Sequence, residues 1–245
     1  MSDCPFALWT PVAATRIRPY HKKLQVILHT LVAGRAKDVI DGKGGWRTTV
    51  NKESNFIVQS DGTILQCMYS GQKAVANRDA NSTGISIETE DHSHVVGRAL
   101  VGPDKEWDPW TVPQMRSIMR LLEWCSKKHG IPLVRCPEPT GSGMGYHTMW
   151  GSPSPWTPVV KACPGPARIR QFDEVLMPFM KGEALPDKLD LGGYAGKSVI
   201  SIPKNLRDPL YRDKVYYKAP PVTKKRPRGK TTSSRKIVAR SPNNR

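Results

Sequence analysis

The side chains in this chain with the most capacity for chemistry lie in one stretch and at one distant point. Tyr146-His147 through Lys161-Ala162-Cys163-Pro164-Gly165 offers an imidazole, a cation and a thiol in a segment rich in Gly and Pro. A second imidazole, His29, ends the apolar run Val26-Ile27-Leu28 far upstream. Two neutral imidazoles and a thiolate suit a zinc ion, and three protein ligands leave a fourth position for water, as in catalytic rather than structural zinc sites. On residues alone, a single His at a strand end is more often a hydrogen-bonded structural group, so both readings of His29 stand at this level. His92 and His94 form a His-x-His pair that suits either a metal or a solvated loop edge. Cys67, Cys125 and Cys136 read as small apolar residues in or near the core.

The elements that would position these groups can be read from hydrophobic pattern. Leu24 to His29 is a short apolar run with Val and Ile, which predicts a buried strand holding His29 rigidly at its end. Asn55 to Gln59 and Ile64 to Met68 flank Asp61-Gly62, a strong hairpin signal. Ile85 to Glu90 alternates, with Ile85 and Ile87 facing one side and Ser86, Glu88 and Glu90 the other. Thr111 to Lys128 carries Met115, Ile118, Met119, Leu122 and Cys125 at helical spacing; Thr111 and Gln114 supply a capping box, and Gly130 and Pro132 stop the helix. Leu133-Val134 reads as one more short strand. Gly141 to Gly145 reads as flexible and Trp150 to Pro158 carries three prolines, which predicts loop on both sides of His147. Pro166 to about Met180 predicts a second helix, with Ile169, Phe172, Val175 and Leu176 on one face. These elements fit an α/β fold, a central mixed sheet with helices packed on it. Residues 1 to about 22 read as an irregular arm.

Composition separates this domain from its ends. Of the +17 formal charge, eleven units lie after Tyr211, where twelve Lys or Arg face Asp213 alone, which leaves +6 for the first 211 residues. The basic signal therefore belongs to a tail and not to the fold. From Ala219 onward Pro, Lys, Arg, Ser and Thr dominate without periodicity, so the tail is expected to be disordered. The expected organisation is a catalytic domain over 1–181 with its core at 24–180, a linker or small appendage over 182–211, and a basic tail over 212–245. Five cysteines without tight spacing argue against a disulfide framework and for a reducing compartment. Met1 to Pro5 shows no basic-then-apolar signal, and no apolar run approaches the ~18 residues of a membrane span.

The order of these features resembles the zinc-dependent N-acetylmuramoyl-L-alanine amidases of the peptidoglycan recognition protein type, which include phage endolysins and bacterial anhydro-muropeptide amidases. The resemblance runs from about Leu24 to Met180. It rests on Val26 to Thr30, on Asn55 to Val58 with Asp61-Gly62-Thr63, on Asn81 to Glu90, on the helix ending Lys128-His129-Gly130-Ile131-Pro132, and on His147 with Lys161 to Gly165. It implies Zn2+ held by His29, His147 and Cys163. It also implies Lys161 steadying an oxyanion, Glu88 as the acid of the family's Ile-Gly-Ile-Glu strand, and bacterial peptidoglycan as substrate. Two departures stand out. Ser54 occupies the position where some phage members carry a catalytic Tyr, which would pass that role to Glu88. The loop between His147 and Cys163 is also longer than in short phage enzymes, and its Trp150 and Trp156 would form a substrate wall or anchor the loop.

The reading implied is a monomeric endolysin, made in the host cytoplasm without a signal peptide and acting at the bacterial wall after release. Its basic tail would add attraction to anionic wall polymers or a membrane surface. Two other classes compete: a non-catalytic peptidoglycan-binding module, and a protein associated with nucleic acid through its tail. The tail offers no interleaved aromatics beyond Tyr216-Tyr217, so no specific nucleic acid is expected.

Overall fold

The structure, a computed structural model, describes residues 2–31, 35–50, 52–91, 109–159, 162–190 and 199–202. The His92/His94 pair, Lys161 and the basic tail lie outside the described residues.

Six strands form one mixed sheet: β1 (Leu8–Trp9), β2 (Gln25–Leu28), β3 (Phe56–Val58), β4 (Ile64–Gln66), β5 (Gly84–Thr89) and β6 (Gly143–Tyr146). Their spatial order is β1-β4-β3-β5-β2-β6. The Asp61-Gly62 turn makes β3 and β4 an antiparallel hairpin, closed by Gln59 N–H to Thr63 O at 2.8 Å and by Asp61 Oδ1 accepting from Thr63 N–H at 2.8 Å. The other neighbours run parallel, including the trio β5-β2-β6.

Side chains alternate across a strand, so the sheet's two faces can be built for different purposes. One face presents Val26, Leu28, Phe56, Val58, Ile85, Ile87, Met144 and Tyr146 to the helical layer. That layer is α2 (Val112–His129) and the segment that begins as α3 (Pro166–Gln171) and continues helically to Met180, whereas Ala36 and Ile40 of α1 (Ala36–Asp41) pack with Ile57 on the other face. α2 starts where the capping box places it: Gln114 N–H donates to Thr111 Oγ1 at 3.1 Å, and Thr111 N–H donates back to Gln114 Oε1 at 3.0 Å. It ends at Gly130 in the left-handed region, and its expected apolar residues Met115, Ile118, Met119, Leu122 and Cys125 are all buried. A hairpin of β7 (Lys188–Asp190) and β8 (Val199–Ser201) follows, and Leu185, Leu189 and Ile202 join this same core.

The opposite face carries Gln25, Ile27, Ser86, Glu88, Gly145 and Ile57, smaller and more polar than the helical side. Loops cover it, and their anchors are Trp46, Ala80, Cys136 and Trp156. β5 is therefore buried along its whole length and not half-solvated as its alternating pattern suggests.

Three elements differ from the sequence reading. The N-terminal arm contributes β1, because Leu8 and Trp9 pair in parallel with Leu65 and Gln66. Leu133-Val134 is not a strand; only the isolated pairing of Arg135 with Met144 lies there. Of the stretch Gly141 to Gly145, read as flexible, residues 143–145 form with Tyr146 an edge strand. Glycine is needed at 145 for space and not for looseness: a Cβ there would lie 2.7 Å from Trp156 Cζ3 and 2.8 Å from Met149 Sδ. Gly145→Ala is accordingly expected to lower stability by about 1–3 kcal/mol, the usual range for forcing extra volume into a packed interior. Urea denaturation monitored by far-UV circular dichroism would measure it, and a loss below 0.5 kcal/mol would count against the close approach.

Candidate metal site

Three adjacent parallel strands bring the site together. Leu28 of β2 is in register with Ile87 of β5 and with Tyr146 of β6. One residue further on, the three chains present His29, Glu88 and His147 side by side at the C-terminal edge of the sheet. The ladder continues through this step: His29 N–H donates to Ile87 O at 2.8 Å, Thr89 N–H to His29 O at 3.0 Å, and His147 N–H to Leu28 O at 3.1 Å. Residues in register on parallel strands project from the same face, so all three side chains leave the sheet together. Clefts at the carboxyl ends of parallel strands are where α/β sheets hold ligands.

Cys163 comes from outside the sheet, in the turn just before α3. Its carbonyl accepts from Thr148 N–H at 3.2 Å and from Thr148 Oγ1 at 2.8 Å, which ties it to the segment after His147. Its sulfur lies 3.3 Å from Thr30 N, whose N–H donates to it, and 3.7 Å from His29 Nδ1. The two imidazole centroids are 4.3 Å apart. One ligating atom each of His29, His147 and Cys163 lie within 4.8 Å of one another, and all three residues are buried. This is a group that could hold a metal ion. Burial pushes the thiols of Cys4, Cys67, Cys125 and Cys136 up, Cys4 to about 12, as expected of small apolar core residues.

Glu88 is buried, and Ser54 Oγ donates to its Oε1 at 3.1 Å; Ser54 also shares a 2.9 Å hydrogen bond with Ser86 Oγ. The residue that departs from the tyrosine of some phage amidases thus touches the carboxylate next to the cluster. Glu90, on the same side of the sequence pattern, has a different task. Its carboxylate accepts from Ala36 N–H at the start of α1 at 2.8 Å and from Ser60 N–H at 2.9 Å, so it joins two loops. Trp150 is half-buried and Trp156 fully buried, the rings edge to face at 5.9 Å. Trp156 donates its indole N–H to Pro139 O at 2.8 Å and packs under Gly145, so it supports the loop from within. Lys161 lies outside the described residues.

Several site residues were not visible in the sequence reading. Asn77 Oδ1 sits 2.6 Å from His29 Nε2. Arg168, fully buried, donates to Thr89 Oγ1 at 2.9 Å and pairs with Asp91 at 2.5 Å, while Thr30 Oγ1 donates to Asp91 at 2.9 Å. This network fixes the chain just beyond His29 and Glu88. A signal for it existed: Arg168 stands one turn before Phe172 on the apolar stripe of its helix, where a cation must be paired.

The fold and the buried imidazole–imidazole–thiol cluster define a protein with a metal-type site at the edge of a mixed sheet. Residues 19–166 match the N-acetylmuramoyl-L-alanine amidase family, and the chain belongs to that family. No curated protein matches the sequence. Among solved structures it is similar to the N-acetylmuramoyl-L-alanine amidase LysC from Clostridium intestinale URNW, at 16% identity and TM-score 0.47, over 71% of this chain and 97% of that one. It is also similar to the Ph2119 endolysin from Thermus scotoductus MAT2119 bacteriophage Ph2119, at 16% identity and TM-score 0.39, over 60% of this chain and 80% of that one. A third likeness is to Drosophila peptidoglycan recognition protein SA, at 12% identity and TM-score 0.43, over 64% of this chain and 82% of that one.

Arg168→Met should lower folding stability by about 3 kcal/mol, the low end for breaking a buried ion pair, because Asp91 keeps Thr30 and some solvent. Chemical denaturation of the full chain measures this, and an unchanged midpoint would mean that the pair does not brace the site.

Proposed function

We propose that this chain is a zinc-dependent N-acetylmuramoyl-L-alanine amidase that cuts the amide between N-acetylmuramic acid and L-alanine in bacterial peptidoglycan, in the service of host lysis by a phage. The observation that carries the reading is the buried convergence of His29, His147 and Cys163 within 4.8 Å, in a chain of this family.

The donor set fits zinc. Two imidazoles and a thiolate are borderline and soft ligands, and no redox-active metal is needed for amide hydrolysis. With Asn77 on Nε2 of His29, its Nδ1 is the nitrogen turned toward Cys163 Sγ. A thiolate there is supported by the Thr30 N–H. Bound zinc supplies Lewis-acid polarisation of the amide carbonyl and makes water acidic enough to be useful near neutral pH.

The chain's own groups do the rest. Glu88 would take a proton from the attacking water and return it to the leaving amine, with the Ser54 hydroxyl hydrogen-bonded to its carboxylate. Lys161, two residues before Cys163, is the cation that would steady the developing oxyanion. Trp156, fully buried, anchors the loop after His147, and Trp150 is the ring of the pair that would face substrate. The basic tail would concentrate the enzyme at anionic wall polymers or membrane surface, an attraction that weakens with salt.

Purified full-length protein should bind one equivalent of zinc and release new stem-peptide amino groups from peptidoglycan, with muramic acid left bearing a free lactyl carboxylate; a chelator should stop this and zinc restore it. Cys163→Ala should lose the metal. Glu88→Gln should keep the metal and lose about 100- to 10,000-fold in rate. Mass spectrometry of the digest with metal analysis reads all three, and intact muramoyl–alanine bonds after digestion by zinc-loaded protein would sink the proposal.

A further inference from the structure

The loop before β5 is fastened in an unusual way for a surface connection. Asn81 Oδ1 accepts from Ala76 N–H at 3.0 Å and from Asn77 N–H at 2.7 Å. Asp79 N–H donates to Pro155 O at 3.1 Å, and Arg78 donates from its guanidinium to Ser154 O at 2.9 Å. The loop is thus bolted to the one that follows His147, and Thr157 of that second loop donates to the His147 carbonyl. Arg78 has φ of 49°, the one described non-glycine residue in the left-handed region. Such backbone strain persists only where surroundings impose it, and it tends to gather at functional sites.

What the strain accomplishes is the aim of its neighbour. Asn77 is fully buried and meets His29 Nε2 through Oδ1 at 2.6 Å. Gly84 makes room for it, since a Cβ at 84 would lie 3.0 Å from Asn77 Nδ2 and 2.9 Å from Ala80 O. Asn77 Nδ2 finds no acceptor among the described residues. A buried amide that leaves one of its groups unsatisfied is costly, and an aliphatic side chain of like size would avoid that cost. The oxygen is therefore what the position requires.

We propose that Asn77 is a positioning residue that fixes the tautomer of His29. An amide oxygen only accepts, so the ring must carry its proton on Nε2, and the lone pair is left on Nδ1, the nitrogen 3.7 Å from Cys163 Sγ. Asn77 also holds the ring plane. The inference rests on the proposed metal reading for its consequence, but the tautomer itself does not depend on any metal.

The experiment uses full-length protein and three variants. Long-range nitrogen–proton correlation spectra of the metal-free protein should show His29 as a single Nε2–H tautomer. Asn77→Ala should give a tautomer mixture and bind zinc about 10- to 100-fold more weakly in a chelator competition, the usual effect of losing a partner behind a ligating His. Asn77→Leu should show the same loss, although it refills the volume. Asn77→Asp, which keeps an acceptor oxygen at the same reach, should restore the tautomer and bring affinity to within about threefold of the parent or tighter. Equal zinc affinity and an unchanged tautomer in Asn77→Ala would overturn the proposal. So would a loss that Asn77→Asp shares with Asn77→Leu, which would make Asn77 a packing residue of the loop. A parent protein with the Nε2–H tautomer but no affinity for zinc would sink the metal reading and leave the tautomer assignment standing.

Discussion

Parallel strand register is the constraint from which the site follows. β5, β2 and β6 are adjacent and in step, with Ile87, Leu28 and Tyr146 aligned across them. A parallel ladder fixes both position and facing, because a slip by one residue would turn every side chain to the opposite face. Glu88, His29 and His147 therefore leave the sheet as a row, and each is anchored by backbone hydrogen bonds and not by its own side chain alone. Cys163 is the only member of the group supplied by a loop, and its two bonds to Thr148 and the N–H from Thr30 bind that loop to the row.

The sheet's two faces divide the labour. Large aliphatic and aromatic residues cover the side that meets the helices and provide most of the buried apolar area. The site side is built from small and polar residues, which lets two loops lie close: Trp156 fits over Gly145, and Asn77 fits against Gly84. A bulkier strand face would hold those loops off and leave the imidazoles exposed. Burial of the ligand cluster is thus a consequence of small residues at specific strand positions.

Several polar groups buried around the site are paired, and the pairings join segments far apart in the chain. Arg168 reaches Thr89 and Asp91, Asp91 receives Thr30, and Glu90 joins the starts of α1 and the β3–β4 turn. In a low-dielectric interior such groups must be satisfied together or not at all, which makes this edge of the sheet a single cooperative unit. Membership of the N-acetylmuramoyl-L-alanine amidase family gives that rigidity a purpose, since hydrolysis of an unactivated amide relies on groups held in place before substrate arrives.

The sequence by itself determined the local elements. Thr111 and Gln114 cap a helix wherever they stand three apart ahead of an apolar stripe, Asp61-Gly62 turns a hairpin, and Val26-Ile27-Leu28 extends into a strand; these are short-range preferences written in neighbouring residues. The capacity of His29, His147 and Cys163 to ligate a metal was legible as residue type, while their grouping into one set was implied only by the family resemblance. Tertiary structure alone decided the remainder. Residues 143–145 look flexible in isolation and become a strand only because β2 offers an edge and Trp156 needs the space at Gly145. Asn77 reads as one polar loop residue among several until the fold lays it on His29, and Ser54 reads as a lost tyrosine until it meets Glu88. Contacts between residues dozens of positions apart leave no periodic trace in sequence, since either partner alone is compatible with many surroundings and only the closed fold selects one.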